Sequence, residues 1–349
     1  MITFGSLTPL PSQDQILALH GEFRRKASLL KPLIEAVRDL PLLWGKMTDQ
    51  NPALSVLDGE AAIMKLEGLV SGPANEHILD EKHNILIVPI TILTHVTLYL
   101  SFLEHSEAAN HNSVLEDVVA MGGVQGLCAG LLSAQAVASA QTVEDVVALS
   151  CVSLRLAFCI GAYVDANQFS INGGNDESVT LAVRWNPPET LEDVKKILLN
   201  HPKVYLAAVR DERDITITTP AEAATTLRED LSQNGLSFLE IGLNGRYHTS
   251  IHAGIPLKII NACEDRLDPR FGSRELVRSN FDGQVIPRHE AVSELLESIL
   301  VQHVNWYLTI STSAQCISQA SEQPLILSIG GDTTAQSIKK IHHVVMVIS

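Results

Sequence analysis

The segment GVQGLCAGLLSA at residues 123–134 constrains the fold of this chain more than any other. The apolar, partly β-branched run VVAMGGV that leads into it reads as a strand, and the alanine- and leucine-rich stretch after it favours a helix. Between them lies Gly126-Leu127-Cys128-Ala129-Gly130. A strand that turns at once into a helix must bend sharply, and a glycine two residues to either side of the bend removes the Cβ atoms that would collide there. The residue at the tip then projects clear of the sheet. Here it is a cysteine, so the spacing predicts a nucleophile elbow. The helix N-terminus behind it would lower the thiol pKa, and the Ala129 amide would point at a developing oxyanion. A buried structural cysteine is the bland alternative.

A cysteine nucleophile needs a base, and the chain has 13 histidines. His77, His83, His105 and His111 lie in polar stretches where solvated side chains are the default, and His342 and His343 are near the C-terminus. His248 differs, because it sits in GRYHTS, where residues 178–243 return to the rest of the chain. A return point of that kind opens onto a cleft between structural units. His252 is the rival; glycines at 242, 245 and 254 argue against a helical His-x3-His metal pair, and no metal is expected.

Residues 178–243 read as β-α-β-β-α-β: SVTLAVRW, a proline-initiated helix in PPETLEDVKKILLN, KVYLAAVRD, DITITTP, a helix ending at Gly235, and LSFLEIGL. The expected fold is therefore α/β, an α/β-hydrolase-like large subdomain (1–175 and 244–349) with an inserted ferredoxin-like small subdomain (176–243), a division that fits 349 residues. ITF at 2–4 reads as the first strand, and residues 13–40 as helix closed by Pro41. The apolar stretch 84–104 approaches membrane-spanning length; its ILIVP start reads as a buried strand followed by a helix. No basic region with an apolar core opens the chain, so no signal peptide is expected.

Composition removes several functions. The net charge of −15 disfavours nucleic-acid phosphates and anionic membranes. Five cysteines without a CxxC pair fit neither a disulfide framework nor a zinc site, and point to a reducing cytoplasmic setting. The arginines between 264 and 288 are interleaved with acids and read as a mixed-charge face.

The elbow GVQGLCAGLLSA, the βαββαβ unit and GRYH after it together resemble the starter-unit acyl carrier protein transacylase domain of fungal non-reducing polyketide synthases. That domain is similar to malonyl-CoA:carrier-protein transacylases, which use GHSxG and an AFHS-like histidine. The resemblance spans nearly the whole chain, including the N-terminal FGS, PITILTHVTLYLSFLE and RLAFCIGAYVDA. It implies that Cys128 is the nucleophile and His248 the catalytic histidine. It also implies that a backbone amide at Leu7 completes the oxyanion hole, although the chain reads FGSL where relatives read FGDQ. A main-chain carbonyl in the turn at Ser328 would orient His248, and Arg155 lies near where malonyl-specific relatives keep a carboxylate-binding arginine, with a structural role as its alternative.

The implied activity moves a starter acyl group from acyl-CoA or an acyl carrier protein to a phosphopantetheine thiol, with no permanently bound cofactor. Partners would be the acyl carrier protein, an upstream fatty acid or polyketide synthase as donor, and the ketosynthase of a parent synthase from which this is an N-terminal piece. A cysteine-dependent hydrolase or thioesterase, and an inactive docking module, are the competing readings.

Overall fold

Strand β1 (Ile2–Phe4) is buried throughout and forms the heart of a parallel sheet. The computed structural model describes residues 1–6, 11–72, 83–106, 110–120, 122–169, 178–272, 277–320, 325–330 and 344–348. On one side β1 pairs with β2 (Val124–Gly126), on the other with β8 (Leu325–Ile329), which pairs with β9 (Val344–Ile348). Phe4 lies opposite both Gly126 and Ile329, so the three strands end level, and the chain leaves β2 at the carboxyl edge where sites form in open α/β sheets.

Helices surround this sheet. They are α1 (Gln13–Arg25), α2 (Lys31–Arg38), α3 (Leu40–Gln50), α4 (Gly59–Ser71), α5 (Asn84–His105), α6 (His111–Ala120), α7 (Gly130–Ser139) and α8 (Val143–Phe169). After the inserted unit come α11 (Ile255–Cys263), α12 (Ala291–Leu300) and α13 (Trp306–Ala320). Both α5 and α8 carry stretches apolar and long enough to span a bilayer, yet 78% and 89% of those stretches are buried within the fold. They pack on each other, and apolar residues all round a helix suit a core position as well as a membrane.

The inserted unit runs β3 (Ser178–Arg184), α9 (Leu191–Leu198), β4 (Tyr205–Asp211), β5 (Asp214–Pro220), α10 (Ala221–Gln233) and β6 (Ser237–Ile241). Its strands take the order β6-β3-β5-β4, antiparallel throughout, and β7 (Val304–Asn305) adds a parallel edge beside β4. Alternation sorts the faces. Leu181, Val183, Ile215 and Ile217 point to a separate core with Leu227 and Leu231 of α10. Ala208, Thr216 and Thr218 point the other way, towards the cleft described below. Thr190, with Asp193 three residues on, caps α9 in a reciprocal capping box, so that helix begins at Leu191 rather than at the prolines. Gly235, with φ +71°, follows α10 as expected.

Several elements depart from the sequence reading. Residues 84–104 form a single helix, not a strand and then a helix. Pro89 falls within the early turns of α5, and burial against α8 overrides the β-propensity of ILIVP. The Asp165 carboxylate accepts hydrogen bonds from the Asn84 and Ile85 amides at 3.1 and 2.8 Å, satisfying donors at the N-terminus of α5. Residues 13–40 divide into α1, α2 and the start of α3, and Pro41 opens α3 rather than closing a helix, because a first-turn proline gives up no internal bond. Val118 lies in α6, so only Val124–Gly126 of the apolar approach is strand. His111 is buried, not solvated: it accepts from the Tyr99 hydroxyl at 2.8 Å and donates to the Ala140 carbonyl at 3.2 Å.

Candidate active site

The elbow is built by contact distances that only glycine satisfies. A Cβ on Gly126 would lie 2.3 Å from the carbonyl carbon and oxygen of Gly130, and one on Gly130 would lie 2.2 Å from the Gly5 carbonyl oxygen. The two glycines therefore let the first turn of α7 fold back on β2 and rest on the end of β1. Cys128, pinned between them, has φ +54°.

His248 approaches from the opposite side with φ +59°. Among the described residues these are the two non-glycine positions with left-handed backbone, and such strain persists only where surrounding structure imposes it, at about 1–3 kcal/mol each. The imposing bonds are visible. Backbone amides of His248 and Thr249 donate to the Ile299 and Leu300 carbonyls at 3.3 and 2.9 Å. Tyr247 donates to Asn84 Oδ1 at 2.7 Å, and Gly245 N–H donates to Ser178 Oγ at 2.9 Å.

The two side chains meet. Cys128 Sγ lies 3.2 Å from His248 Nε2. His248 Nδ1 faces the carbonyls of Ser298 at 2.8 Å and Gln302 at 3.2 Å. Carbonyls can only accept, so Nδ1 carries the proton and Nε2 presents its lone pair to the thiol. The Cys128 S–H donates to Nε2, as a thiol does to its base.

Burial makes the resting pair neutral. It pushes the Cys128 thiol up to about 12, with the Ala129 amide acting in the opposite direction, and pushes His248 down to about 4. The sequence-based expectation of a lowered thiol pKa is thus corrected: desolvation outweighs the amide at the helix N-terminus. A buried thiol beside a neutral imidazole can pass its proton as it attacks, without a standing thiolate.

The cleft above the pair is a partly open cavity of about 60 Å³ and is lined mostly by small or apolar side chains. Leu127, Tyr247 and Val304 come from the main unit; Ala207, Ala208, Thr216 and Thr218 come from the inserted sheet, and Arg210 lines it as well. Ser6 reaches the same cleft, whereas Leu7 lies outside the described residues.

Other expected site residues fall elsewhere. Ser328 is buried in β8, and the carbonyls that orient His248 come from Ser298 and Gln302 near the end of α12; the histidine anchor is corrected accordingly. Arg155 does not line the cleft. Its guanidinium lies 3.6 Å from Asp39 in a separate polar cavity with Arg266, which suits its structural reading. His252 donates from Nε2 to the Arg246 carbonyl at 2.6 Å and braces the loop behind His248. Among the described residues no cluster of His, Cys, Asp and Glu is placed to hold a metal ion. In the mixed-charge stretch Arg266 pairs with Asp39 and Asp265, and Arg270 with Asp268 and Asp145; Arg274 lies outside the described residues.

One residue at the site gave no sequence signal. Asn280 accepts the Cys128 N–H on Oδ1 at 3.0 Å and donates from Nδ2 to the Gly126 carbonyl at 2.8 Å. It lies 152 positions from the elbow, and nothing local to SNFDG foretells the contact.

Comparison with known proteins adds to this geometry. Residues 62–248 match the family profile described as starter unit:ACP transacylase in aflatoxin biosynthesis. The chain is 42% identical over 346 residues to methylphloroacetophenone synthase of Cladonia uncialis, covering 99% of this chain and 14% of that protein. It is 31% identical over 339 residues to 5-methylorsellinic acid synthase of Aspergillus terreus, covering 94% of this chain and 13% of that protein. The chain therefore spans about a seventh of the length of these curated relatives. Among solved structures, the malonyl CoA-acyl carrier protein transacylase of Clostridium perfringens superposes with TM-score 0.62 at 18% identity, covering 99% of this chain and 92% of that one. The acyltransferase domain from the second module of the salinomycin polyketide synthase gives 0.59 at 15% identity, covering 99% and 67%. These likenesses show the mixed α/β fold of such acyltransferases. With more than half of its residues matched by the family profile, the chain belongs to the starter unit:ACP transacylase family of acyltransferases.

Proposed function

We propose that this chain carries a starter acyl group as a thioester on Cys128 and delivers it to the phosphopantetheine thiol of an acyl carrier protein. The observation that carries the reading is the 3.2 Å approach of His248 Nε2 to Cys128 Sγ, with the imidazole tautomer fixed by two carbonyls. In the first half-reaction Sγ attacks the carbonyl carbon of a donor thioester and its proton passes to Nε2. The tetrahedral oxyanion accepts from the Ala129 N–H. The bond to the donor sulfur breaks and the imidazolium returns the proton to that sulfur. In the second half-reaction the carrier thiol loses its proton to Nε2 and attacks the Cys128 thioester; the acyl–Sγ bond breaks, the imidazolium returns the proton to Sγ, and the carrier leaves with the acyl group. One thioester replaces another, so the barrier is lowered mainly by positioning and by keeping water out.

The donor is an acyl-CoA or an acyl carrier protein of an upstream fatty acid or polyketide synthase, and no resident cofactor is needed. By analogy with the multidomain synthases it resembles, the chain works beside a ketosynthase and a carrier protein in the cytoplasm, where its five free thiols would stay reduced. We assign residues 1–175 and 244–349 to an α/β-hydrolase-like core and 176–243 to a ferredoxin-like small subdomain; the strand order β6-β3-β5-β4 supports the division. The cleft is largely apolar and roofed by alanines and threonines, with Arg155 outside it and Arg210 the one arginine among the described residues of its lining, which supports an uncharged starter over malonate unless Arg210 meets the carboxylate.

Incubation with a radiolabelled acyl thioester tests the reading. A transferase keeps the label on protein until carrier protein is added and then moves it there. Release as free acid at the same rate with and without carrier would make the chain a thioesterase, and no labelling at all would make it a docking module.

A further inference from the structure

The thiol and the imidazole stand on elements 120 residues apart, and both residues hold strained backbone. Their 3.2 Å separation must be set by something that touches both sides. The segment Ser279–Asn280 does so. Asn280 is 1% exposed and uses both ends of its amide on the elbow, accepting from Cys128 N–H and donating to the Gly126 carbonyl. Its own carbonyl accepts the Asn305 N–H at 2.6 Å. One residue earlier, Ser279 Oγ donates to Glu294 Oε1 at 2.7 Å, and Ser298 Oγ donates to the same oxygen at 3.3 Å. Ser298 is the residue whose carbonyl receives His248 Nδ1–H.

A continuous run of bonds therefore leads from the Cys128 amide through Asn280, Ser279 and Glu294 to Ser298 and His248. We propose that Ser279, Asn280 and Glu294 form a positioning bracket that fixes the nucleophile and its base relative to each other. The proposal rests on the dyad reading above and deepens it. It also assigns a division of labour among the elbow amides: Asn280 occupies the Cys128 N–H, which leaves the Ala129 N–H to meet the oxyanion.

Glu294 gives the cleanest test, since it sits on a half-exposed position of α12 and touches neither reacting atom. In Glu294→Gln the amide oxygen can still accept both hydroxyls; in Glu294→Ala that shared acceptor is gone, and only contacts of 3.5 Å, between the two hydroxyls and from Ser298 Oγ to Gln302 Oε1, remain. The readouts are single-turnover acylation by N-acetylcysteamine thioesters from acetyl to octanoyl, alkylation of Cys128 by iodoacetamide, and melting temperature, with Asn280→Ala and Cys128→Ala alongside. We expect Glu294→Gln to acylate within about 3-fold of the parent, and Glu294→Ala and Asn280→Ala to lose roughly 10- to 100-fold in the acylation rate constant with KM little changed, the size expected when reacting groups drift by up to an ångström. Equal behaviour of Glu294→Gln and Glu294→Ala at matched stability, or a parent-like rate in Asn280→Ala, would overturn the bracket while Cys128→Ala still abolished acylation. If Cys128→Ala itself acylated normally, the dyad reading would fall and the bracket with it.

Discussion

Replacing Gly126 by alanine puts a single methyl group where the elbow has no room. The added Cβ would lie 2.3 Å from Gly130 C and O and 2.4 Å from Leu131 N, all backbone atoms of the turn and first helical residues. Ordinary contact begins near 3.4 Å, so the turn must open by about 1 Å. Cys128 sits within that turn, and opening it lengthens the 3.2 Å Sγ–Nε2 contact until the proton no longer passes directly. A displacement of about 1 Å between reacting groups costs on the order of 100-fold in rate, and overpacking of this kind costs about 1–3 kcal/mol in stability. The assay is single-turnover acylation followed by intact-protein mass, with a denaturant melt to separate the two effects. Gly235→Ala is the control. Its added Cβ meets nothing within 4 Å, so at φ +71° it should cost only backbone strain, about 1 kcal/mol, and leave acylation unchanged. A Gly126→Ala protein that acylates within about 3-fold of the parent would refute the claim that the tight turn places the thiol.

Three further outcomes follow from the same structure. Burial holds His95 near 3 and both His248 and His252 near 4, against 6.5 for an open imidazole. Between those values and 6.5 the unfolded chain binds more protons, so stability should fall as pH drops below 6.5, by on the order of 2 kcal/mol per histidine at pH 5; urea melts from pH 7.5 to 5 check this, and a flat profile contradicts it. Asp165→Ala strips three hydrogen bonds from Asn84 and Ile85, and Asn84 in turn holds Tyr247 in the cleft, so a loss of about 3 kcal/mol and slower acylation are expected in a urea titration and the single-turnover assay. Ala208→Phe fills part of the roof over Cys128 and should shorten the longest acyl chain accepted, read as a shift in relative kcat/KM across acetyl to octanoyl thioesters.

What could be read from the sequence was what local sterics decide. Glycines at 126 and 130 announce a bend because no other residue fits, and the order of strand-like and helix-like stretches along 178–243 gives the β-α-β-β-α-β unit. Partners and depths set by tertiary packing could not be read. Pro41 opens a helix where a first-turn proline costs no internal bond, and Pro89 rides inside a helix held by its packing on α8. Main-chain carbonyls orient His248, and a carbonyl can come from any residue type, so Ser298 and Gln302 left no mark in the composition. The thiol shows the same limit: the helix behind Cys128 was visible in the alanine-rich sequence, but the desolvation that outweighs it depends on what closes over the elbow.

The most direct test of the central claim is the intact mass of the protein, followed by peptide mapping, after brief exposure to an acyl thioester. A single acyl adduct should form on Cys128, disappear when a phosphopantetheinylated carrier is added, and never form in Cys128→Ala. An adduct on another cysteine, or the same adduct in the alanine variant, would contradict it.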